Sequence, residues 1–190
     1  MKSKKVKVKH VAFLRGINVG GHHKVPMVEL RKEMEKLNFE NVVTLLNSGN
    51  IVFDNDDDDD ALESLEKKIS EHLEKAFGFP IATIIRKSKT IYGLLENNPF
   101  KDLILSKDMR LYVSFLRKET ETEFQLPWTS DDKSFKIIGI NNKTILSVLD
   151  LSISKTPKAM LALARFFGKD ITTRNWNTIL RIEKELYASQ

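Results

Sequence analysis

The chain has 190 residues, 31 lysines and arginines against 26 aspartates and glutamates, a formal net charge of +5, and no cysteine. This length predicts one compact domain or two small ones, each with enough chain for a hydrophobic core. The missing thiols exclude disulfides, thiolate metal sites and cysteine nucleophiles. No apolar run approaches the roughly 18 residues that span a bilayer, and the lysine-rich start lacks the apolar stretch of a signal peptide. We therefore expect a soluble cytoplasmic protein that has no membrane partner.

The positive charge is unevenly distributed. Five lysines within the first nine residues equal the whole excess, and an acidic run, Asp54 with residues 56–60, follows them. The stretch from Lys155 onward is basic again. Charge segregated in this way indicates a nucleic-acid partner less strongly than a uniformly basic surface would.

The apolar pattern of the first half predicts the order β-α-β-β-α-β. The predicted strands cover residues 6–14, 42–46, 50–53 and 81–85, and the predicted helices begin at Pro26 and after Asp60. Apolar residues recur at three- and four-residue spacing in both helices, which is typical of one buried helical face. This order is that of the ferredoxin-like split βαβ fold, whose sheet is antiparallel.

The second half repeats part of this order. Predicted strands cover residues 109–116, 134–138 and 144–149, and predicted helices cover 90–97, 119–126, 157–167 and 175–187. Residues 11–15 and 113–117 match at four of five positions. The sequence therefore predicts an α+β protein of two ferredoxin-like halves with antiparallel sheets. We expect a domain over residues 1–88, in which residues 1–8 form a flexible basic tail, and a second over 89–190 that ends in two helices.

Two glycine-containing loops are expected to meet at one end of the first sheet, because the loop after strand one and the turn between strands two and three share an end in a split βαβ unit. The candidate ligand-binding residues there are Arg15, Asn18, Gly20, Gly21, Asn47, Ser48 and Asn50. A guanidinium, side-chain amides, a hydroxyl and backbone N–H groups together suit an anion. The alternative is that the glycines only form turns and the amides hold the loops together.

A second polar group, Arg174, Asn175 and Trp176, precedes the last predicted helix. Thr172 or Thr173 would cap that helix and leave Arg174 and Asn175 at its exposed start. In a functional interpretation the arginine holds a phosphate and the tryptophan stacks on a base. In a structural one the tryptophan anchors the helix and the arginine packs over it.

The remaining polar clusters do not match known catalytic or metal-binding patterns. The first loop has the spacing of neither phosphate-loop motif, and no serine elbow or distinct carboxylate pair indicates a catalyst. His22 and His23 fit exposed loop histidines better than metal ligands, and residues 56–60 fit a solvated loop better than a calcium site. We expect no metal site and no cofactor, and no catalytic residue is assigned.

Three motifs in order, residues 15–21, 48–50 and 173–178, resemble an uncharacterised bacterial family, domain of unknown function 1697. The likeness runs from about Lys9 to Leu186. The resemblance implies a ferredoxin-like α+β protein and supplies no reaction, substrate or cofactor. The chain departs from the family's usual glycine at Asn38, and its aspartate run is absent from most members.

Three functions fit these residues. The first is a binding module whose inter-domain polar site takes a phosphorylated, nucleotide-like or nucleic-acid ligand. The second is an enzyme for a small anionic substrate, with Arg15 and Arg174 as charge clamps and His22 or His23 as acid or base. The third is a structural protein, in which an exposed sheet edge forms a homodimer.

Overall fold

The computed structural model describes residues 7–56, 62–122 and 124–188. The strands in these ranges form two antiparallel sheets, one of four strands and one of five. The chain divides into two compact units: the first holds the residues up to Leu94 and those from Arg181 onward, and the second runs from Leu95 to Leu180. No helix in the described ranges has both the length and the apolar composition needed to cross a bilayer.

The first unit has the predicted β-α-β-β-α-β order. Its elements are β1 (Lys7–Leu14), α1 (Met27–Lys36), β2 (Glu40–Leu45), β3 (Asn50–Asp56), α2 (Leu62–Phe77) and β4 (Thr83–Lys87). The strands are ordered β2-β3-β1-β4, and each neighbouring pair is antiparallel. Strand β3 therefore lies between β1 and β2, and the prediction of a ferredoxin-like half is confirmed.

The core of the first unit lies between α1, α2 and one face of the sheet. The apolar spacing of the two helices brings Leu30, Met34, Ile69 and Leu73 into one buried cluster with sheet residues such as Phe53. Alternate residues of a strand point to opposite faces, and on this sheet the other face is buried as well. Its buried residues include Val11, Phe13, Val52 and Ile84.

Strand β1 contains residues that we expected in the flexible tail, Lys7 and Val8. The Lys7 ammonium lies 3.0 Å from a carboxylate oxygen of Asp56 and 3.1 Å from one of Glu40. These two hydrogen bonds raise the pKa of Lys7. The tail expectation is therefore wrong for these two residues, because pairing with β3 places lysines of β1 opposite aspartates. Residues 1–6 and 57–60, and with them the predicted cap at Asp60, lie outside the described residues.

The second unit has a similar sheet without the helix expected at residues 119–126. Its sheet and main helix are β5 (Met109–Leu116), β6 (Trp128–Thr129), β7 (Phe135–Asn141), β8 (Thr144–Asp150), α4 (Thr156–Phe167) and β9 (Ile171–Asn175), with strand order β6-β7-β8-β5-β9. No helix forms over 117–122 or 124–127. Instead Phe124 packs its ring against Phe166 at 4.7 Å and near Trp128 at 6.0 Å, which fixes this segment by aromatic contacts.

Strand β9 occupies residues that we expected to cap the last helix. Thr172 and Thr173 pair with β5, so the cap prediction is wrong, and the helix α5 (Trp176–Ala188) begins after the strand. The run of β-branched residues from Ile171 to Thr173 is the local signal that favours a strand here. In the first half, the helix α3 (Ser88–Asn97) likewise begins at the residue directly after the last strand, β4. The division between the two units falls inside both helices, whereas we expected it at residue 88.

The two sheets share one pairing pattern around their central strands. In the first, the Leu14 N–H donates to the Gly49 carbonyl at 2.8 Å, and in the second the Leu116 N–H donates to the Lys143 carbonyl at 2.8 Å. The register also places Arg86 of β4 opposite Val11, and Arg174 of β9 opposite Val113. Residues 11–15 and 113–117, which match in sequence, thus occupy equivalent places in the two sheets.

We predict that Gly49→Ala destabilises the first unit much more than Gly21→Ala. Both glycines have positive φ, +72° and +81°, but a Cβ at Gly49 would lie 2.7 Å from Cδ1 of Ile17 and 2.8 Å from Cβ of Leu14. A Cβ at Gly21 meets nothing within 4 Å. Urea unfolding followed by circular dichroism should show a loss of about 2–4 kcal/mol for Gly49→Ala and about 1–2 kcal/mol for Gly21→Ala. Equal losses would mean that close packing at Gly49 does not constrain the turn.

Candidate functional site

The loop between β1 and α1 is held in place by the side chain of Asn18. Its amide nitrogen donates to the carbonyl oxygens of Val25, at 3.0 Å, and Asn47, at 2.9 Å, and its amide oxygen accepts from the Val25 N–H at 2.8 Å. Asn18 has a φ of +55°, a left-handed conformation that asparagine tolerates better than most residues. The contact to Asn47 joins this loop to the turn between β2 and β3, so the two loops meet as the strand order requires.

The β2–β3 turn is also built around an amide. Asn50 is fully buried, and its amide nitrogen donates to the Leu45 carbonyl at 2.9 Å and to the Ser48 hydroxyl at 3.1 Å. These bonds satisfy polar groups that would be costly to bury unpaired. The contacts of Asn18 and Asn50 favour the second interpretation of these residues, in which the amides hold the loops together.

Arg15 is the predicted site residue whose charged group has no partner among the described residues. Its backbone N–H donates to the Ala82 carbonyl at 2.9 Å, and its side chain is half-buried. Within residues 7–56, 62–122 and 124–188, its guanidinium makes no hydrogen bond or ion pair. Lys24, exposed before α1, likewise has no ion pair with a described residue. We did not single out Lys24 from the sequence; its position between a glycine turn and the helix start at Pro26 was the available signal.

We define the loop end as residues 15–25 and 46–49. It contains Arg15 and Lys24 and no acidic residue. Gly20 and Gly21 form the exposed tip of a tight turn, in which the His22 N–H donates to the Val19 carbonyl at 3.0 Å. A surface with two cations and no carboxylate of its own attracts anions.

The two histidines of the loop end have different surroundings. His23 donates from Nδ1 to the Gly16 carbonyl at 3.1 Å, and its ring stacks on Phe79 with centroids 4.4 Å apart. His22 is exposed. The ring of His23 is therefore used in holding the loop on the first unit, and His22 is the better placed of the two to touch a ligand.

The equivalent end of the second unit carries mixed charge. It has a cavity of about 430 Å³, lined by Leu116, Glu119, Thr120, Glu121, Ile140, Asn141, Asn142 and Lys143. Two carboxylates in this lining oppose an anionic ligand. The shared pairing pattern thus gives each sheet a group of loops at the equivalent end, but the two groups differ in charge. The group in the first unit, the loop end, is the candidate anion site.

Arg174 is buried in the second unit. Its Nη1 donates to the Thr172 hydroxyl and to the Thr173 carbonyl, both at 2.9 Å. Burial lowers the pKa of Arg174 to about 10, because the charged guanidinium loses hydration. The expectation of an exposed Arg174 at the helix start is wrong, because the residue belongs to β9 and only 7% of its surface is accessible.

Asn175 and Trp176 lie where β9 passes into α5. The side-chain oxygen of Asn175 accepts a hydrogen bond from the Asn177 N–H at 2.9 Å, which satisfies one of the unpaired donors at a helix start. The Trp176 ring packs edge-on against Phe100 with centroids 5.1 Å apart. These contacts are those of a residue that caps a helix and a residue that anchors it.

Arg86 occupies the place on β4 that Arg174 occupies on β9. It is also 7% accessible, and its Nη1 donates to the preceding carbonyl, of Ile85, at 2.8 Å. Burial lowers the pKa of Arg86, and the nearby carboxylate of Glu66 opposes that shift. The sequence also indicates that the two arginines are equivalent. Each is followed four residues later by a Thr-Ile pair, which begins at Thr90 after Arg86 and at Thr178 after Arg174. A buried arginine on the last strand is thus a feature of both sheets.

The two antiparallel sheets define the protein as an α+β chain of two ferredoxin-like halves. The family model described as protein of unknown function, DUF1697, matches residues 8–143, and the chain belongs to this family. A solved structure described as the conserved bacterial protein SP0830 from Streptococcus pneumoniae is similar, with 25% sequence identity and a TM-score of 0.71. The likeness covers 95% of this chain and 99% of that one. Comparison with curated proteins gives no significant match.

We predict that Asn18→Asp destabilises the first unit by about 2 kcal/mol, because a carboxylate cannot donate to the carbonyls of Val25 and Asn47 and each lost hydrogen bond costs about 1 kcal/mol. Asn47→Asp is the matched control: it makes the same charge change in the same loop end, but only its backbone oxygen receives the bond from Asn18. That control should change the free energy of unfolding by less than about 0.5 kcal/mol. Equal losses in urea unfolding would show that the Asn18 amide does not hold the loops.

Proposed function

We propose that the protein is a binding module whose loop end takes the phosphate group of a phosphorylated small molecule, a nucleotide or a nucleic acid. The observation that carries the proposal is the Arg15 guanidinium, which has no hydrogen-bond or ion-pair partner among the described residues. A guanidinium presents a planar fork of donors that matches phosphate oxygens two at a time. Arg15 would therefore be the principal phosphate contact.

The surroundings of Arg15 support an anion as the ligand. Lys24 adds a second positive charge, and the loop end contains no carboxylate that would compete with a bound phosphate. Asn18 and Asn50 hold the two loops in position, so their role in the proposal is to orient the surface that binds. Gly20 and Gly21 leave open space over the turn, where no atom lies within 4 Å of an added Cβ, and a ligand could approach the backbone there.

Other predicted ligand residues enter the proposal to different degrees. Asn47 is exposed at the loop end and offers its side-chain amide to the ligand. It stays a prediction that Arg174, Asn175 and Trp176 contribute to an inter-domain site. The contacts that these three residues make favour a structural role. Catalysis, a homodimer and a cytoplasmic location also stay predictions.

We predict that Arg15→Gln weakens the binding of inorganic phosphate by about 10- to 150-fold, the loss expected for a charge-assisted hydrogen-bonded pair of about 1.5–3 kcal/mol. Isothermal titration calorimetry at fixed ionic strength measures the affinity. Arg165→Gln is the matched control, because Arg165 is exposed on α4 in the second unit and the substitution removes the same charge. The control should bind phosphate as the unmodified chain does. Equal affinity for Arg15→Gln and the unmodified chain would contradict the proposal.

A further inference from the structure

Three large apolar side chains are exposed around the loop end. Val19 is 68% exposed at the glycine turn, Leu46 is 39% exposed in the β2–β3 turn, and Val28 is 68% exposed in the first turn of α1. Single exposed apolar residues are normal on a protein surface. These three residues come from separate segments. The segments are joined by the hydrogen bonds of Asn18, in the same loop end as Arg15 and Lys24.

The hydrogen bonds of Asn18 make that link. Val19 follows Asn18 directly, and Leu46 precedes Asn47, whose carbonyl receives the Asn18 amide at 2.9 Å. Val28 stands three residues after Val25, which exchanges hydrogen bonds with Asn18 at 3.0 and 2.8 Å. The apolar side chains thus border the same loops as Arg15 and Lys24, and the surface combines positive charge with apolar area.

The glycine turn is open to solvent and to a ligand. No atom lies within 4 Å of a Cβ added at Gly20 or Gly21, so the turn leaves room for a ligand group beside it. The neighbouring His22 is exposed as well. Nucleobases stack on the rings of aromatic side chains, histidine among them, with little dependence on which base is present, and Val19 pairs with His22 across the turn. A sugar or aliphatic group has no ring that could stack on the His22 imidazole.

We propose that the loop end recognises a nucleotide unit, with its phosphate on Arg15 and its base on the surface formed by His22, Val19 and Leu46. This inference rests on the proposed phosphate-binding function and adds the class of organic group that the phosphate carries. A free nucleotide and a single-stranded nucleic acid offer the same unit. Inorganic phosphate and a phosphate ester without a base lack the part that the apolar surface would contact.

The test compares the affinities of inorganic phosphate, glycerol 3-phosphate and adenosine monophosphate for the 190-residue chain by isothermal titration calorimetry. We expect the nucleotide to bind about tenfold more tightly than glycerol 3-phosphate, in line with base stacking on protein surfaces. Val19→Ser should remove most of this gain and leave the affinity for inorganic phosphate unchanged. Leu46→Asn is the second variant, because asparagine suits the φ of +59° at this position. Leu161→Ser, at an exposed site on α4, is the control.

The outcomes separate this inference from the function on which it rests. If all three phosphates bind equally and Arg15→Gln weakens all of them, the base contact is wrong and the phosphate site stands. If none of them binds, both proposals are wrong. A short oligoadenylate that binds more tightly than the mononucleotide, with an affinity that falls as salt rises, would support the inference with a nucleic-acid strand as the source. Equal affinity of the two would support it with the free nucleotide as the source.

Discussion

The side-chain amide of Asn18 is the interaction on which the loop end of this protein depends. One asparagine receives an N–H from Val25, donates to the carbonyl of the same residue, and donates to the carbonyl of Asn47 in another loop. It does so from a left-handed backbone conformation that also turns the chain toward the glycine tip. Because these backbone groups are satisfied within the protein, the loops do not depend on the Arg15 guanidinium, which is why we propose it as the phosphate contact.

The same central pairing supports different chemistry in the two halves. Leu14 and Leu116 each donate at 2.8 Å to a carbonyl of the turn that precedes the neighbouring strand, β3 or β8, but the turn residue is Gly49 in the first half and Lys143 in the second. Gly49 permits Ile17 and Leu14 to pack against the backbone of the turn. At the corresponding end of the second half, two glutamates line the cavity. The fold therefore fixes where a loop end lies, and the loop residues decide which charge it can bind.

Hydrophobic periodicity was sufficient to predict the first half of the fold, because a buried helical face and a buried strand each leave a distinct spacing in the sequence. It was not sufficient for β9, a short polar strand whose formation depends on pairing with β5. It also failed at residues 119–126, where Phe124 is held by other aromatic rings and no helix forms. In these segments, contacts between residues distant in sequence decide the local structure.

The candidate site was predictable in position but not in the role of each residue. The strand order alone places Arg15 and Asn47 in loops at the same end of the sheet. Whether an amide such as that of Asn50 binds a ligand or a backbone carbonyl depends on geometry that the sequence does not encode locally. The burial of Arg174 likewise follows from its register opposite Val113, which no local motif reveals.

The most direct test of the account is a two-dimensional amide and arginine side-chain NMR titration of the 190-residue chain with inorganic phosphate. A phosphate bound by Arg15 predicts saturable shift changes at the Arg15 Nε–H and at the amides of residues 16–24 and 46–49, with residues 171–176 unchanged. Saturable changes confined to residues 171–176, or no saturable change anywhere up to millimolar phosphate, would contradict the assignment of the anion site to the loop end.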